Sequence, residues 1–325
     1  MDAAAALVRG GVSALPLLRS LLANPDETLR LEIFETIRRL GPVAVPVLVE
    51  LLTRDEAPLR LQAVGILIDF APDTVAARPA LILALRDAEP LVARDAARAL
   101  GALGATATPA VPGLVGALAD RDDHLRIYAA EALASIGPAA AAATPALAKA
   151  LSDPVAGVRW AAGEALAAIG PSAAPAVPRL IEALNDEFLY VRICAAGALG
   201  HIGPNAAAAA DPLRTAATDP AMRAEAEWAL GKITGVASKR PAAAPIAPSA
   251  AAGAPASAPP LGDPPVVWNP VTRRNIAWSA PLGNDTFGRP VVAGGRVYVG
   301  TDNARRVNPA CQDDCGVLLA FAAKN

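Results

Sequence analysis

Through residue 235 the apolar positions recur three or four residues apart, the spacing of helix faces. In the segment Val158–Ile169, Ala162, Leu166 and Ile169 fall roughly on one face. From 288 to 303 the pattern changes. "GRPVVAGGRVYVGTDN" alternates apolar and polar and is interrupted by Gly294-Gly295, which predicts a β-hairpin. "NIAWSAPLG" and "GVLLAFAAKN" on either side also read as strands.

The helical part is periodic. Leu85, Leu118, Leu151 and Leu184 are 33 residues apart, as are Asp87, Asp120, Asp153 and Asp186. Pro79, Pro112, Pro145 and Pro178 keep the same step, and so do Gly104, Gly137, Gly170 and Gly203. Four columns with one period point to a chain of like units, each a helical hairpin. In the unit Gly137–Gly170 the first helix carries Pro145. Asp153 is expected to cap the second helix, with Pro154 at its first position. Gly170 and Pro171 end it. "AAAALVRGG" keeps the spacing of a unit's end, so Ala6 to Gly11 read as the close of an earlier second helix.

A proline in the first helix, an aspartate eight later and an arginine six beyond resemble the HEAT-repeat family, and more narrowly its phycobilisome-lyase-like units. Pro112, Asp120 and Arg126 fit, as do Pro145, Asp153 and Arg159, and Pro178, Asp186 and Arg192. The resemblance implies a mostly α fold: a HEAT-like solenoid of roughly seven hairpins in residues 1–235. It further implies that Asp120, Arg126, Asp153, Arg159, Asp186 and Arg192 form a charge ladder along the stack. Arg30, Arg60 and Arg223 extend the arginine column. Ala93 breaks it, with Arg94 adjacent; Arg54 and Asn24 stand where aspartates are expected.

Residues 236–267 read as a flexible Ala/Pro-rich linker; positions 241 to 265 hold eight prolines and ten alanines. Residues 268–325 resemble one blade of a PQQ-like β-propeller, through "PVVAGGRVYVGT" and "LLAF". One blade cannot bury its faces, so the chain reads as a piece of a larger protein.

Composition narrows the function. Apolar residues make up 54% of the chain, much of it alanine, and aromatic residues only 4%. A net charge of −2 offers no global field for nucleic acid. No apolar run is long enough to span a membrane, and the start of the chain carries no signal-peptide pattern. The chain therefore reads as cytoplasmic, or as exported if its N-terminus is incomplete. His124 and His201 are the two histidines and neither precedes a glutamate, as the iron-binding HEAT hydroxylases require. Cys194 reads as a buried thiol, and Cys311 and Cys315 as a local disulfide or two free thiols. No nucleophile triad, phosphate loop or metal set is legible, so no enzyme activity and no cofactor is expected.

What remains is a surface. In HEAT solenoids the second helices line the concave side. Counting from each arginine, the positions facing away from the core hold Ile127, Tyr128 and Glu131, then Trp160 and Glu164, then Ile193 and Cys194, then Glu225 and Trp228. Tyr128, Trp160, Ile193 and Trp228, edged by Glu131 and Glu164, are the expected contacts for a protein or peptide partner. An uncapped stacking face at the N-terminal end would also allow self-association.

Overall fold

The computed structural model describes residues 3–24, 26–236, 286–293, 296–301 and 317–322. The chain divides into two compact units, Met1–Ala243 and Ala244–Asn325. The expected linker past residue 236, the strand "NIAWSAPLG", Gly294-Gly295 and the Cys311/Cys315 pair lie outside the described residues.

The first unit is an α-solenoid. After α1 (Ala3–Gly10) come seven two-helix hairpins among the described residues. The first helices are α2 (Leu15–Leu21), α4 (Val45–Leu51), α6 (Arg78–Ala84), α8 (Val111–Ala117), α10 (Thr144–Ala150), α12 (Val177–Ala183) and α14 (Ala210–Ala216). The second helices are α3 (Glu27–Leu40), α5 (Ala57–Asp69), α7 (Pro90–Ala102), α9 (Asp123–Ile136), α11 (Ala156–Ile169), α13 (Leu189–Ile202) and α15 (Arg223–Thr234).

First helices are short because proline stands near the start of each α segment from α2 to α12. Proline has no N–H to complete the preceding turn, and the chain before it winds as a tighter 3-10 segment, such as Gly137–Ala143. Second helices run 12–14 residues. Five of them, α3, α9, α11, α13 and α15, end at Gly41, Gly137, Gly170, Gly203 and Gly235 with φ between 70° and 77°, a conformation that side chains with a Cβ rarely adopt.

Two leucine columns fill the space between the helix layers. Leu81, Leu114, Leu147, Leu180 and Leu213 on the first helices are fully buried, as are Leu100, Leu133, Leu166 and Leu199 on the second. Each contributes about 2 kcal/mol of apolar burial. Alanines surround them: Ala129, Ala130, Ala161, Ala162, Ala165, Ala196 and Ala198 are also buried. Burial therefore covers a wide arc of each second helix, because it packs on its own first helix and on the second helices before and after it.

The hairpin turn differs from the expected cap. Val155, not Asp153, is the N-cap of α11, and the helix starts at Ala156. Asp153 lies two residues earlier and closes the turn by accepting the Val155 N–H at 2.9 Å. Pro154 therefore sits in the turn and not at the first helical position.

The second unit contains β1 (Thr286–Ala293), β2 (Arg296–Thr301) and β3 (Val317–Ala322) in an antiparallel sheet of order β1-β2-β3. Ala293 pairs with Arg296 and Val292 with Val297, with an irregularity between Phe287 and Val291. Arg296 to Thr301 pair with Ala322 to Val317.

Candidate interaction surface

Charged side chains gather at the turn edge of the solenoid. Arg60, Arg126, Arg159 and Arg192 each reach the carboxylate of the aspartate 27 residues on, in the following unit, and not the carboxylate in their own turn. Arg60 meets Asp87, Arg126 meets Asp153 and Arg159 meets Asp186, all with two-pronged contacts at 2.7–3.0 Å. The last rung is looser, with Arg192 3.6 Å from Asp219. Burial alone would raise the Asp186 pKa. Hydrogen bonds from Arg159 and the Phe188 N–H, and the charges of Arg159 and Arg192, outweigh it and hold the carboxyl below its usual range. Asp87 is lowered against its burial in the same way by Arg60 and the Glu89 N–H.

Asp120 departs from the expected ladder. The arginine preceding it in the stack is Arg94, one residue out of register, and it pairs with Asp122 at 2.9 Å. Asp122 is also the N-cap of α9, accepting from the Leu125 N–H at 3.0 Å. Asp120 keeps its turn bond to the Asp122 N–H and contributes its backbone carbonyl to Arg126. A shift of one residue along a helix turns the side chain by about 100°, enough to exchange one partner for another.

On the outward side of the second helices, the expected stripe is only partly assembled. Trp160 is 38% exposed, and Glu131 and Glu164 are exposed one turn further along α9 and α11. Tyr128 is half-buried, with the Arg98 guanidinium over its ring at 5.6 Å. Arg98 in turn donates to Asp95 at 2.8 Å. Although Glu131 keeps contact with solvent, the protein packed around it removes part of its hydration and holds the carboxyl above its usual pKa, an effect the Arg98 charge partly offsets.

The rest of the stripe turns inward. Trp228 is only 4% exposed, so it is not a free aromatic contact. Its ring lies where a Cβ on Gly200 would come within 2.4 Å, and it packs edge-on to His201. The glycine leaves a hole and the indole fills it. Ile127 and Cys194 are buried, and Ile193 is half-buried. The Cys194 thiol donates to the Glu164 carboxylate at 3.2 Å and packs where Gly163 has no side chain.

Two contributors escaped the sequence reading. Arg98 occupies the repeat column of Glu131 and Glu164, 33 residues before Glu131, so the period could have found it. Phe188 is 41% exposed at the turn edge and lies against the Arg159 guanidinium at 5.6 Å. Its signal is rarity, since the chain has five phenylalanines. Asp122, Asp123 and His124 lie close enough together to suggest a cation, but Asp122 is already committed to Arg94 and to the helix cap, and His124 to Asp123. Among the described residues no helix is long and apolar enough to cross a membrane.

These features agree with what the chain is similar to. The family described as HEAT repeats matches in overlapping stretches, residues 46–134, 77–167, 111–187, 144–231 and 177–250. Among solved structures, the crystal structure of an engineered protein from the Northeast Structural Genomics Consortium is 25% identical. It aligns over 72% of this chain and 71% of that chain with a TM-score of 0.55. A second engineered protein from that consortium is 24% identical over 68% of this chain and 97% of its own, with a TM-score of 0.46. A computationally designed armadillo repeat protein for modular peptide recognition is 22% identical over 57% of this chain and 99% of its own, with a TM-score of 0.48. No curated protein matches in sequence. With its hairpins, its two leucine columns and a family match that runs from residue 46 to 250, the chain belongs to the HEAT-repeat family.

Proposed function

We propose that this protein is a non-catalytic interaction scaffold, and that the outward side of α9 and α11 binds a protein or peptide partner. One observation carries the reading: Trp160 is 38% exposed in a chain with four tryptophans, one helical turn before Glu164 on α11. An exposed indole among small residues offers a large, stiff apolar contact. Glu131 and Glu164 give the face an acidic edge, so the favoured partner is a peptide with an apolar anchor flanked by basic residues. Ile193 contributes a half-buried apolar margin. Trp228 is left out of the contact set because it is buried against Gly200.

Selection from a displayed random-peptide library, followed by titration of the selected peptide, tests this. The double variant Trp160→Ala, Tyr128→Ala should weaken binding by about 30-fold while the far-ultraviolet dichroism stays that of the wild type. Unchanged binding, or loss of helicity, would reject the face as the contact.

A second reading, that residues 268–325 are a single blade of the PQQ-like propeller class, rests on the sequence resemblance; the antiparallel order β1-β2-β3 of the described strands is what that reading requires. In that reading residues 236–267 are a linker and the solenoid is one part of a larger exported protein. Coding sequence continuing in frame with further blades is the expected outcome; a stop codon after Asn325 would overturn it.

A further inference from the structure

The arginine column has one interruption, and the neighbouring units show what it removes. Arg60, Arg126 and Arg159 each place Nε and Nη2 on the next unit's aspartate. Each also donates from Nη1 to the backbone carbonyls six and five residues upstream. A guanidinium socket in this protein is thus a carboxylate facing two carbonyl oxygens. The repeat puts the corresponding arginine at residue 93, where the chain has alanine. The matching acceptors are the carbonyls of Asp87 and Ala88 and the carboxylate of Asp120.

An open groove of about 570 Å³ lies at this place, and Asp87, Ala88, Ala93 and Asp120 all line it. The adjacent Arg94 directs Nε and Nη2 to Asp122 instead. Asp120 is exposed, whereas Asp87, Asp153 and Asp186, each held by an arginine, are half-buried. Glycine widens the groove. Gly113 and Gly116 of α8 line it, and a Cβ on Gly116 would meet nothing within 4 Å. The repeat positions equivalent to Gly116 are Leu83, Lys149 and Glu182, so only this unit omits the side chain there.

We propose that this groove is a binding site for a guanidinium group, carried by an arginine side chain of a partner protein or by a small alkylguanidine. The incoming group replaces the arginine that Ala93 lacks, with its N–H fork on the Asp120 carboxylate and the Asp87 and Ala88 carbonyls. Arg86 and Arg121 also line the groove, so its net field is weak. Recognition then depends on the planar fork and not on charge alone, which selects arginine over lysine. The site is at the turn edge and does not depend on the proposed face of α9 and α11.

Titration of the full chain with N-acetyl-arginine amide, with the lysine and citrulline amides as controls, tests the assignment by thermal shift and NMR. The arginine compound should bind at least about tenfold more tightly than either control, since only it offers both the fork and the charge. Ala93→Arg supplies the guanidinium from within the chain; it should raise the melting temperature and weaken arginine binding by about tenfold or more. Asp120→Asn alters an exposed side chain, so it tests the site even if Ala93→Arg does not fold; it should also cost about tenfold. Equal binding of arginine and citrulline, or arginine binding untouched by Asp120→Asn, would overturn the proposal. Methylguanidine and an arginine-centred tripeptide separate the two sources. Comparable affinity for both supports a small-molecule ligand, and a clear preference for the tripeptide supports a protein partner.

Discussion

Second helices approach each other closely from α7 to α15, less closely between α5 and α7, and least between α3 and α5. One repeat column varies along with it. It reads Arg38 on α3, Ile68 on α5, Gly101 on α7, Ala134 on α9, Ala167 on α11 and Gly200 on α13. At Gly101 a Cβ would stand 3.2 Å from the Ala132 backbone, so that step is closer than an alanine would comfortably fit. At Arg38 a long side chain occupies the same position and pairs with Asp69 across the gap. Helix separation follows the side chains at the contact. The open step and the close steps therefore share a fold, and differ at this position and in unit length, 30 residues from Arg38 to Ile68 against 33 between later members of the column.

The largest test of that comparison is in the close region. Arg159→Ala leaves Asp186 partly buried without its guanidinium and should cost about 3 kcal/mol, seen as a lower melting temperature by circular dichroism. Gly200→Ala comes next. The added methyl meets the Trp228 ring, and the expected loss is about 2 kcal/mol, checked by urea unfolding with the indole fluorescence as a local reporter. Arg38→Ala, in the open step, removes a solvent-exposed pair and should cost under about 1 kcal/mol by the same measurement. If Arg38→Ala cost as much as Arg159→Ala, the two regions would not differ as described. The smallest effect has the opposite sign. The folded state raises the Glu131 pKa, so its ionised form opposes folding above that value; Glu131→Gln should slightly raise the melting temperature at neutral pH and not in acid.

Acid sharpens the contrast. The Asp87, Asp122 and Asp186 carboxyls are held below their unfolded pKa, about 3.9, although burial alone would raise them. A lowered folded pKa gives stability that is present above the unfolded value and lost as pH falls through the folded one. Acid unfolding should therefore begin below about pH 4 and lose part of its steepness in Arg159→Ala.

Much of the solenoid was legible because its signals repeat. The leucine, proline and glycine columns locate the hairpins, and local chemistry sets where helices stop, as at Gly137 and Gly170. The site was less legible. Trp160 and Trp228 both fit an outward-facing count from their arginines, yet one is exposed and the other buried. Nothing near Trp228 in sequence tells that Gly200, 28 residues earlier, faces it. Arg126 has aspartates both six residues before it and 27 after it, and the columns alone do not choose between them. Arg94 shows the same limit, because one residue out of the arginine column it meets Asp122 and not the column residue Asp120.

The sequence by itself determined the period, the helical hairpins, the buried leucine columns and the residues available for an edge ladder. These depend on backbone hydrogen bonding and apolar spacing within about one unit, which short-range chemistry encodes. Tertiary structure alone decided which aspartate each arginine meets, which tryptophan faces water, and how closely successive second helices approach. Those outcomes depend on the side chains of two neighbouring helices at once. A missing Cβ on one helix determines what the next can place against it, and that pairing exists only after the units stack.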